Sequence, residues 1–274
     1  MEQKEKIRRI VMLALAGVMV LILIFGKNEN QPEENSTNVE KVPQTTATNT
    51  GTAILTAPEP TENPEDNVYS FLQGPKSWKE RRPWSGKWGK EYHDGSSFGA
   101  FGCGFCCMAN IYSTTTEYKC SPLDIYEYSK KKTLYGGGGA ISWQLMRKTM
   151  TDIGFSVELG EKPSTYAQFR ETASQSQALL VLVSSYDDDS YWKNTPGHYV
   201  TLFLYDDGVQ DAFLTDSGDP KHNRQRIPLK TIYKALKTSS DFQYMSVLSY
   251  DEKQDNWKHK EINGTWVRPE SGVD

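Results

Sequence analysis

The chain has 274 residues, enough for one large domain or two small ones with a substantial buried core. Its 31 basic and 35 acidic residues give a formal net charge of −4, so the composition does not indicate the basic face that binds nucleic acid phosphates. Aromatic residues make up 12% of the chain, and almost all of them follow residue 68, so the N-terminal part differs in composition from the rest.

The first 26 residues have the pattern of a membrane-targeting segment. Four basic residues between positions 4 and 9 precede an uninterrupted apolar run from Ile10 to Phe25. Such a segment enters the secretory machinery and leaves its positive end inside the cell. The run lacks the small residues that a signal peptidase requires at its end. We therefore predict an uncleaved signal-anchor over residues 1–26, with a cleaved signal peptide as the alternative.

Residues 27–66 are rich in Asn, Thr, Glu and Pro and contain almost no large apolar side chains. Such a segment cannot bury enough apolar surface to offset the entropy of ordering it. We predict a disordered stalk here, followed by one globular domain over residues 67–274. The domain is expected to be extracytoplasmic and attached to the membrane through the single N-terminal helix.

The elements of the predicted domain follow an irregular segment over residues 69–100. The predicted helices are 105–116, 121–131, 140–153, 164–175 and 229–237, and the predicted strands are 178–186, 198–205, 212–215 and 244–250. Ser121 followed by Pro122 is a helix start, and Gly154 is a helix end. The strands are β-branched and aromatic runs separated by Asp and Gly turns. Helices first and an antiparallel sheet second give an α+β fold.

Cys103 is the candidate nucleophile. It lies between Gly102 and Gly104, directly before a predicted helix. A helix N-terminus lowers the pKa of a thiol, and its backbone N–H groups can stabilise an oxyanion. Flanking glycines would allow a sharp turn and the close approach of a substrate carbonyl. The alternative is an ordinary buried cysteine.

His198 and Asp216 are the candidate partners of this thiol. His198 opens a predicted strand, and Asp216 ends the next one, where its carboxylate could reach Nδ1–H of the imidazole. A nucleophilic cysteine needs an imidazole base and a third group that orients the imidazole. Asp219 is a rival for the third position. His222 and His93 are interpreted as solvated loop residues.

Gly-Cys-Gly at a helix start, Gly-His-Tyr-Val at a strand start and Thr-Asp-Ser-Gly after the next strand resemble the papain-like cysteine peptidases of family thirty-nine, known for processing bacteriocin leaders. The resemblance covers roughly residues 69–250. It implies a papain-like fold and peptide or amide hydrolysis without a cofactor, with Cys103 as nucleophile, His198 as base and Asp216 as orienting group. It also implies a glutamine in the oxyanion hole, for which Gln73 is the candidate. Phe105-Cys106-Cys107 departs from the pattern of the family.

Three other functions compete with a hydrolase. Cys103 and Cys106 form a C-x-x-C pair at a helix start, as in thiol–disulfide oxidoreductases, but no apolar strand precedes it. A metal site formed by the cysteines would lack a second separated pair. A catalytically inactive surface-displayed binding domain would use the many aromatic residues, Trp192 among them. A glycine run, Gly136 to Gly139, is interpreted as a flexible loop.

Overall fold

The computed structural model describes residues 64–74, 92–205 and 210–263. The predicted signal-anchor over residues 1–26 and residues 27–63 of the predicted stalk lie outside these ranges, so both stay predictions. Within the described ranges, no helix is both long and apolar enough to cross a membrane.

The described residues form every predicted helix and strand and five further elements, three of which begin in the segment predicted to be irregular (69–100). The helices are α1 (Phe98–Phe101), α2 (Cys103–Thr115), α3 (Pro122–Lys132), α4 (Trp143–Asp152), α5 (Tyr166–Ser174) and α6 (Leu229–Ala235). The strands are β1 (Tyr92–His93), β2 (Ser96–Ser97), β3 (Ile153–Gly160), β4 (Ala178–Val183), β5 (His198–Phe203), β6 (Asp211–Thr215), β7 (Gln225–Pro228) and β8 (Tyr244–Asp255). Each predicted element is present, with its ends displaced by at most five residues.

Local sequence signals account for several element ends. Ser121 and Asp124 form a capping box at the start of α3, and Thr165 and Gln168 form another at the start of α5. Gly154 has φ +89°, a torsion that glycine adopts readily, and it lets the chain pass from α4 directly into β3.

Strands β3 to β8 form one antiparallel sheet in the order β3–β8–β4–β5–β6–β7. Helices packed on an antiparallel sheet make the domain α+β, as predicted. The two edge strands, β3 and β7, were not predicted. In β7 only Ile227 is buried, and the second half of β3 is largely accessible to solvent. In β3, Ile153, Phe155, Val157 and Leu159 alternate with glycine or polar residues, so the strand carries a period-2 signal that the prediction missed, whereas β7 offers no such pattern.

The sheet is buried on both faces. In β4 the even-numbered residues pack with α2, α3 and α4, whereas the odd-numbered residues pack with α5 and α6. Many antiparallel sheets leave one face to solvent, but the unbroken apolar sequence of β4 needs cover on both. The prediction of N-terminal helices on a C-terminal sheet is therefore wrong in two respects: helices cover both faces, and strand β3 precedes helix α5 in the chain.

The segment that leads into the domain is bound to it by an arginine. Pro64–Asn67 forms a 3₁₀ turn, and Arg224 donates hydrogen bonds to the carbonyl oxygens of Glu65 (3.0 Å) and Val68 (2.6 Å). The predicted disordered stalk (27–66) therefore extends too far. Its last residues belong to the folded domain, because the guanidinium binds their backbone.

The glycine run between α3 and α4 is a packing site for the turn between β1 and β2. Gly137 and Gly138 have φ of +92° and +71°, and a Cβ at Gly137 would overlap the carboxylate of Asp94 in that turn. Asp94 in turn accepts a hydrogen bond from the hydroxyl of Tyr126 on α3 (2.9 Å). The run is thus a close contact between two segments, and its interpretation as a flexible loop is wrong.

Candidate active site

Cys103 is the first residue of α2, with Gly102 at the N-cap position. A Cβ at Gly102 would overlap the ring of Phe98, and a Cβ at Gly104 would lie 2.9 Å from Cγ2 of Ile141. Neither glycine has a positive φ. The two glycines therefore let the start of the helix pack closely against its neighbours, which differs from the sharp turn expected from the sequence.

His198 begins β5 and Asp216 follows the end of β6, so the two adjacent strands bring them together. In the antiparallel register of β5 and β6, Thr201 pairs with Thr215. Three residues beyond this pair, the same register places Gly218 opposite His198. Nε2 of His198 donates to Oδ1 of Asp216 at 2.8 Å. The prediction that Nδ1 makes this contact is wrong. Nδ1 is left for Cys103, to which the His198 side chain is hydrogen-bonded.

The carboxylate of Asp216 is fully buried and surrounded by hydrogen-bond donors. Oδ1 accepts from His198 and from the backbone N–H groups of Gly218 (2.9 Å) and Asp219 (3.1 Å), and Oδ2 accepts from the indole N–H of Trp192 (2.9 Å). An ionised carboxylate carries no proton, so both of its oxygens can act only as hydrogen-bond acceptors. The surroundings of Asp216 are therefore matched to its charged form.

The three groups favour a thiolate–imidazolium pair. Burial raises the pKa of the Cys103 thiol, but the hydrogen bond and charge of His198 outweigh burial, so the net pKa is lowered. Burial lowers the pKa of His198, but the charge and hydrogen bond of Asp216, together with Cys103, raise it to about 10. Burial raises the pKa of Asp216, but His198 outweighs it and the pKa falls to about 2. A thiolate beside an imidazolium is the reactive form of cysteine in acyl transfer.

A cleft of about 430 Å³ opens beside His198 and Asp216. Its walls are formed by residues 72–74 with Gly99, by the loop 192–198 before β5, and by the turn 216–220 with His222. This volume is in the range of pockets that hold small ligands or a few side chains of a larger one. Cys103, which is 8% exposed, is not among the lining residues, but its neighbour His198 is.

Gln73 lies in the wall of the same cleft, 30 residues ahead of Cys103 in sequence. Its amide Nε2 donates to the carbonyl oxygen of Gly99 (2.9 Å), and its Oε1 accepts from the hydroxyl of Ser217 (2.8 Å). Its backbone N–H donates to the carbonyl oxygen of Ser217 (2.8 Å). These contacts bring Gln73 to the site and fix the orientation of its amide.

Asn110, on α2, joins the three segments that carry the candidate residues. This fully buried side chain accepts a hydrogen bond from the backbone N–H of Phe71 (2.9 Å) and donates one to the hydroxyl of Thr215 (3.0 Å). Phe71 is two residues before Gln73, and Thr215 directly precedes Asp216. A single side chain thus holds the N-terminal segment and the end of β6 against the helix that begins with Cys103.

The other cysteines differ from Cys103 in their ionisation. All four are free and buried, and burial raises the pKa of Cys106, Cys107 and Cys120 well above the ordinary value. Only Cys103 has a lowered pKa, because only Cys103 is hydrogen-bonded to His198. In the described part of the chain, no group of three or more His, Cys, Asp or Glu side chains is arranged to hold a metal ion.

The remaining histidines lie in more specific surroundings than predicted. The ring of His222 stacks on Tyr191 at 4.2 Å, and its Nδ1 lies 3.9 Å from Oδ2 of Asp219 and 4.0 Å from Oδ2 of Asp216. It is therefore part of the cleft wall, and its interpretation as a solvated loop residue is wrong. His93 is in β1 and packs on aromatic rings of α1 and α3. The carboxylate of Asp219 faces His222, which leaves Asp216 as the partner of His198.

Sequence reasoning missed two residues of the site. Trp192 was counted only among the many aromatic residues, and Ser217 was given no role of its own. A buried indole N–H needs an acceptor, and Trp192 is only six residues ahead of His198. That proximity was a usable signal. No comparable signal points to Ser217, because its contact with Gln73 joins residues 144 positions apart.

Comparisons with known proteins add little to this geometry. No protein-family model matches the chain, and no curated protein matches it. One solved structure that matches is the crystal structure of a proposed C39-like peptidase from Bacillus anthracis, with 16% sequence identity and a TM-score of 0.26. The match covers 40% of this chain and 57% of that chain. A likeness this distant says nothing about the chemistry of the site, which rests on its own contacts.

Proposed function

We propose that the domain is a papain-like cysteine hydrolase that cleaves a peptide or amide bond. The observation that carries the proposal is the hydrogen-bonded series from Cys103 through His198 to the buried carboxylate of Asp216. Its electrostatics favour a thiolate and an imidazolium together, which is the starting state for acyl transfer. The cleft beside His198 offers space for the substrate.

The mechanism follows from the roles of the three side chains. The Cys103 thiolate attacks the carbonyl carbon, and the carbonyl oxygen becomes an oxyanion. The His198 imidazolium then gives its proton to the leaving amine, the carbon–nitrogen bond breaks and a thioester remains. The neutral imidazole next takes a proton from water, and the resulting hydroxide attacks the thioester to release the acid and restore the thiolate. Asp216 keeps Nε2 protonated, so that Nδ1 serves both proton transfers.

The oxyanion would be stabilised by donors near the start of α2. The backbone N–H of Cys103 is at the first position of the helix, where N–H groups lack a carbonyl partner in the preceding turn. We assign the second donor to the amide of Gln73, which lines the same cleft. Loss of one such donor commonly costs about 10²–10³ in kcat.

The first experiment measures both thiol reactivity and hydrolysis on the full-length chain, purified under reducing conditions. Iodoacetamide is titrated against pH, and adducts are located by peptide mass spectrometry. Cys103 is expected to react fastest, with an apparent pKa below the ordinary ~8.5. Hydrolysis is measured with a library of peptidyl-aminomethylcoumarins, in which the proposal expects release of the fluorophore from some members.

Two cysteine variants provide the matched comparison. Cys103→Ala should abolish hydrolysis, whereas Cys120→Ala, a change at a buried thiol with a raised pKa, should leave it intact. His198→Ala should remove the low apparent pKa of Cys103. If Cys103 is no more reactive than Cys120 and no substrate is cleaved, the hydrolase proposal is wrong, and a surface-displayed binding domain becomes the better interpretation.

The location of the reaction is a separate proposal. The basic residues and apolar run of residues 1–26 support a single-pass signal-anchor with the domain outside the cytoplasm. The substrate would then be an extracytoplasmic peptide or protein. Fractionation of cells that express the full chain, followed by protease treatment of intact spheroplasts, tests this. A protected domain or a soluble full-length chain would contradict it.

A further inference from the structure

Three of the four cysteines lie in the first two turns of α2. Cys103, Cys106 and Cys107 are all buried in one hydrophobic cluster, and each is a free thiol. The proposed mechanism uses only Cys103, so the other two thiols have no part in it. Cys106 follows Cys103 by one helical turn, which is the spacing of the C-x-x-C motifs that form disulfides at a helix start.

The geometry of a helix start permits a disulfide at this spacing. Residues three apart in an α-helix have Cα atoms about 5 Å apart, within the ~4.4–6.8 Å found in disulfides. Their Cβ atoms, about 5–6 Å apart, must approach to about 3.8 Å, so the first turn has to tighten. Cys103 is the first helical residue, and its N–H has no acceptor inside the helix. The residue that has to move is therefore the one that the helix holds least.

The two thiols differ in access and ionisation in the way that a two-step oxidation requires. Cys103 is 8% exposed and Cys106 is fully buried, so a small oxidant reaches Cys103 first. Burial raises the pKa of both thiols, but His198 lowers the pKa of Cys103 overall, and oxidants attack the thiolate. The Cβ of Cys106 tilts toward the N-terminus of the helix, which directs its sulfur back to the turn of Cys103.

The remaining two thiols serve as internal comparisons. The Sγ of Cys120 lies 3.9 Å from the hydroxyl of Ser113, which is ten residues after Cys103 and about 15 Å further along the helix. Cys120 is therefore too distant to pair with Cys103. Cys107 is four residues after Cys103, with a Cα separation of about 6 Å, so the experiment has to distinguish it from Cys106.

We propose that Cys103 is an oxidative modification site and that Cys106 resolves its oxidised form as a disulfide, which stops hydrolysis reversibly. The thiolate of Cys103 attacks hydrogen peroxide, a sulfur–oxygen bond forms, the oxygen–oxygen bond breaks, and the released hydroxide takes a proton to become water. The Cys106 sulfur then attacks the sulfenic sulfur, its proton leaves with the hydroxyl as a second water, and the disulfide forms. Two thiols are oxidised and one peroxide is reduced to two waters.

The inference rests on the proposed hydrolase function, because the disulfide removes its nucleophile. An added dithiol reverses the change by thiol–disulfide exchange. The proposed location outside the cytoplasm is consistent with this role, since the reductants that keep cytosolic thiols reduced are absent there.

The first measurement locates the disulfide in the full-length chain, which is reduced and then exposed to a small excess of hydrogen peroxide. Free thiols are blocked with iodoacetamide, disulfides are reduced, and the released thiols are labelled with N-ethylmaleimide. Trypsin leaves all three thiols of α2 on one peptide, from Glu91 to Lys119, so fragment masses must assign each label. We expect N-ethylmaleimide on Cys103 and Cys106 and iodoacetamide on Cys107.

The second measurement follows hydrolysis of the best peptidyl-aminomethylcoumarin substrate through oxidation and reduction. Wild type should lose at least about tenfold in rate with peroxide and regain it with dithiothreitol. In Cys106→Ala, Cys103 should proceed to the sulfinic acid, so dithiothreitol should restore less than about a tenth of the rate before oxidation. Cys107→Ala is the matched control at the next buried thiol and should recover as wild type does. Cys106→Ser replaces Cys106→Ala if that variant does not fold.

The outcomes distinguish the two proposals. N-ethylmaleimide on Cys107 in place of Cys106, a wild-type Cys103 that reaches the sulfinic acid without a disulfide, or full recovery of Cys106→Ala overturns the role of Cys106 while the hydrolase stands. Continued hydrolysis after complete formation of the disulfide overturns the regulation and also the role of Cys103 as nucleophile. A reduced wild-type chain that cleaves no substrate overturns the proposed function and its regulation, and the disulfide is then judged by the labels alone.

Discussion

The substitution Asp216→Asn should disturb the site mainly at its contact with Trp192. The new side chain has one oxygen, which can still accept from Nε2 of His198 and from the backbone of the following turn. The other position becomes an NH₂ group, which faces the indole N–H at the present 2.9 Å. Two donors then point at each other in a buried place, and neither has an acceptor.

The magnitude follows from the contacts that change. A hydrogen bond to a charged group contributes about 1.5–3 kcal/mol, and a buried donor left without an acceptor costs about 1–3 kcal/mol. Asp216→Asn should therefore lower the free energy of unfolding by about 3–5 kcal/mol. Trp192→Phe loses the same bond but makes no repulsive contact, and should cost about 2 kcal/mol. The double variant should lose about 2 kcal/mol less than the sum, because the phenyl ring removes the facing donor.

Chemical denaturation followed by circular dichroism gives the four free energies of unfolding. The pH dependence of Cys103 alkylation gives a second result from the same proteins. Without the carboxylate charge, the pKa of His198 should fall from about 10 toward its ordinary value of about 6.5, so the thiolate at pH 7 becomes scarcer. Trp192→Phe keeps the charge and should shift this profile little.

Additivity would refute the reasoning. If the double variant loses the sum of the single losses within about 0.5 kcal/mol, the indole does not orient the carboxylate. If Asp216→Asn leaves the alkylation profile unchanged, the charge of Asp216 does not control the imidazole. The second result would remove the physical basis for placing Asp216 in the mechanism.

Three further predictions concern the geometry and charge of the site. Gly218→Ala places a Cβ 2.9 Å from Cε1 of His198, so the ring must move and kcat should fall about 10- to 100-fold. The control is Gly136→Ala, which has open space around it and should not change kcat. Asn110→Leu removes two buried hydrogen bonds, one to Phe71 and one to Thr215, and should lower the free energy of unfolding by about 2–5 kcal/mol, measured by urea denaturation; a loss below about 1 kcal/mol would contradict its joining role. The contribution of His198 to the free energy of unfolding is complete below pH 6.5 and should be lost as the pH rises toward 10. The contribution of Asp216 is complete above pH 3.8 and should be lost as the pH falls toward 2. A flat profile between pH 6 and 10 would argue against the ion pair.

The sequence was sufficient where a local pattern reflects a local cause. The start of α3 could be predicted, since Ser121 and Pro122 act on their own helix. The strand that carries His198 could be predicted because its run of apolar and β-branched residues is buried. The meeting of Cys103, His198 and Asp216 required more than local pattern, and it was inferred from their order along the chain and the family resemblance.

Other features depend on contacts between distant residues and leave no local trace. The edge strand β7 has one buried residue, Ile227, which is too few to form a pattern. Which ring nitrogen of His198 faces Asp216 depends on how two strands align, which spacing alone does not give. The glycines beside Cys103 were recognised as significant, but their cause is the ring of Phe98, four residues before Gly102, and the side chain of Ile141 from a distant segment.

The bonds from Arg224 to the carbonyls of Glu65 and Val68 set a limit on how far the protein can be shortened. A recombinant domain that begins at residue 67 would retain every candidate residue but lose one of these acceptors. The same segment continues to Gln73, so a frayed beginning would loosen the cleft wall as well as the fold. Trimming from the N-terminus should therefore reduce turnover while thiol alkylation persists, and a start before Pro64 is the shortest that keeps the domain whole.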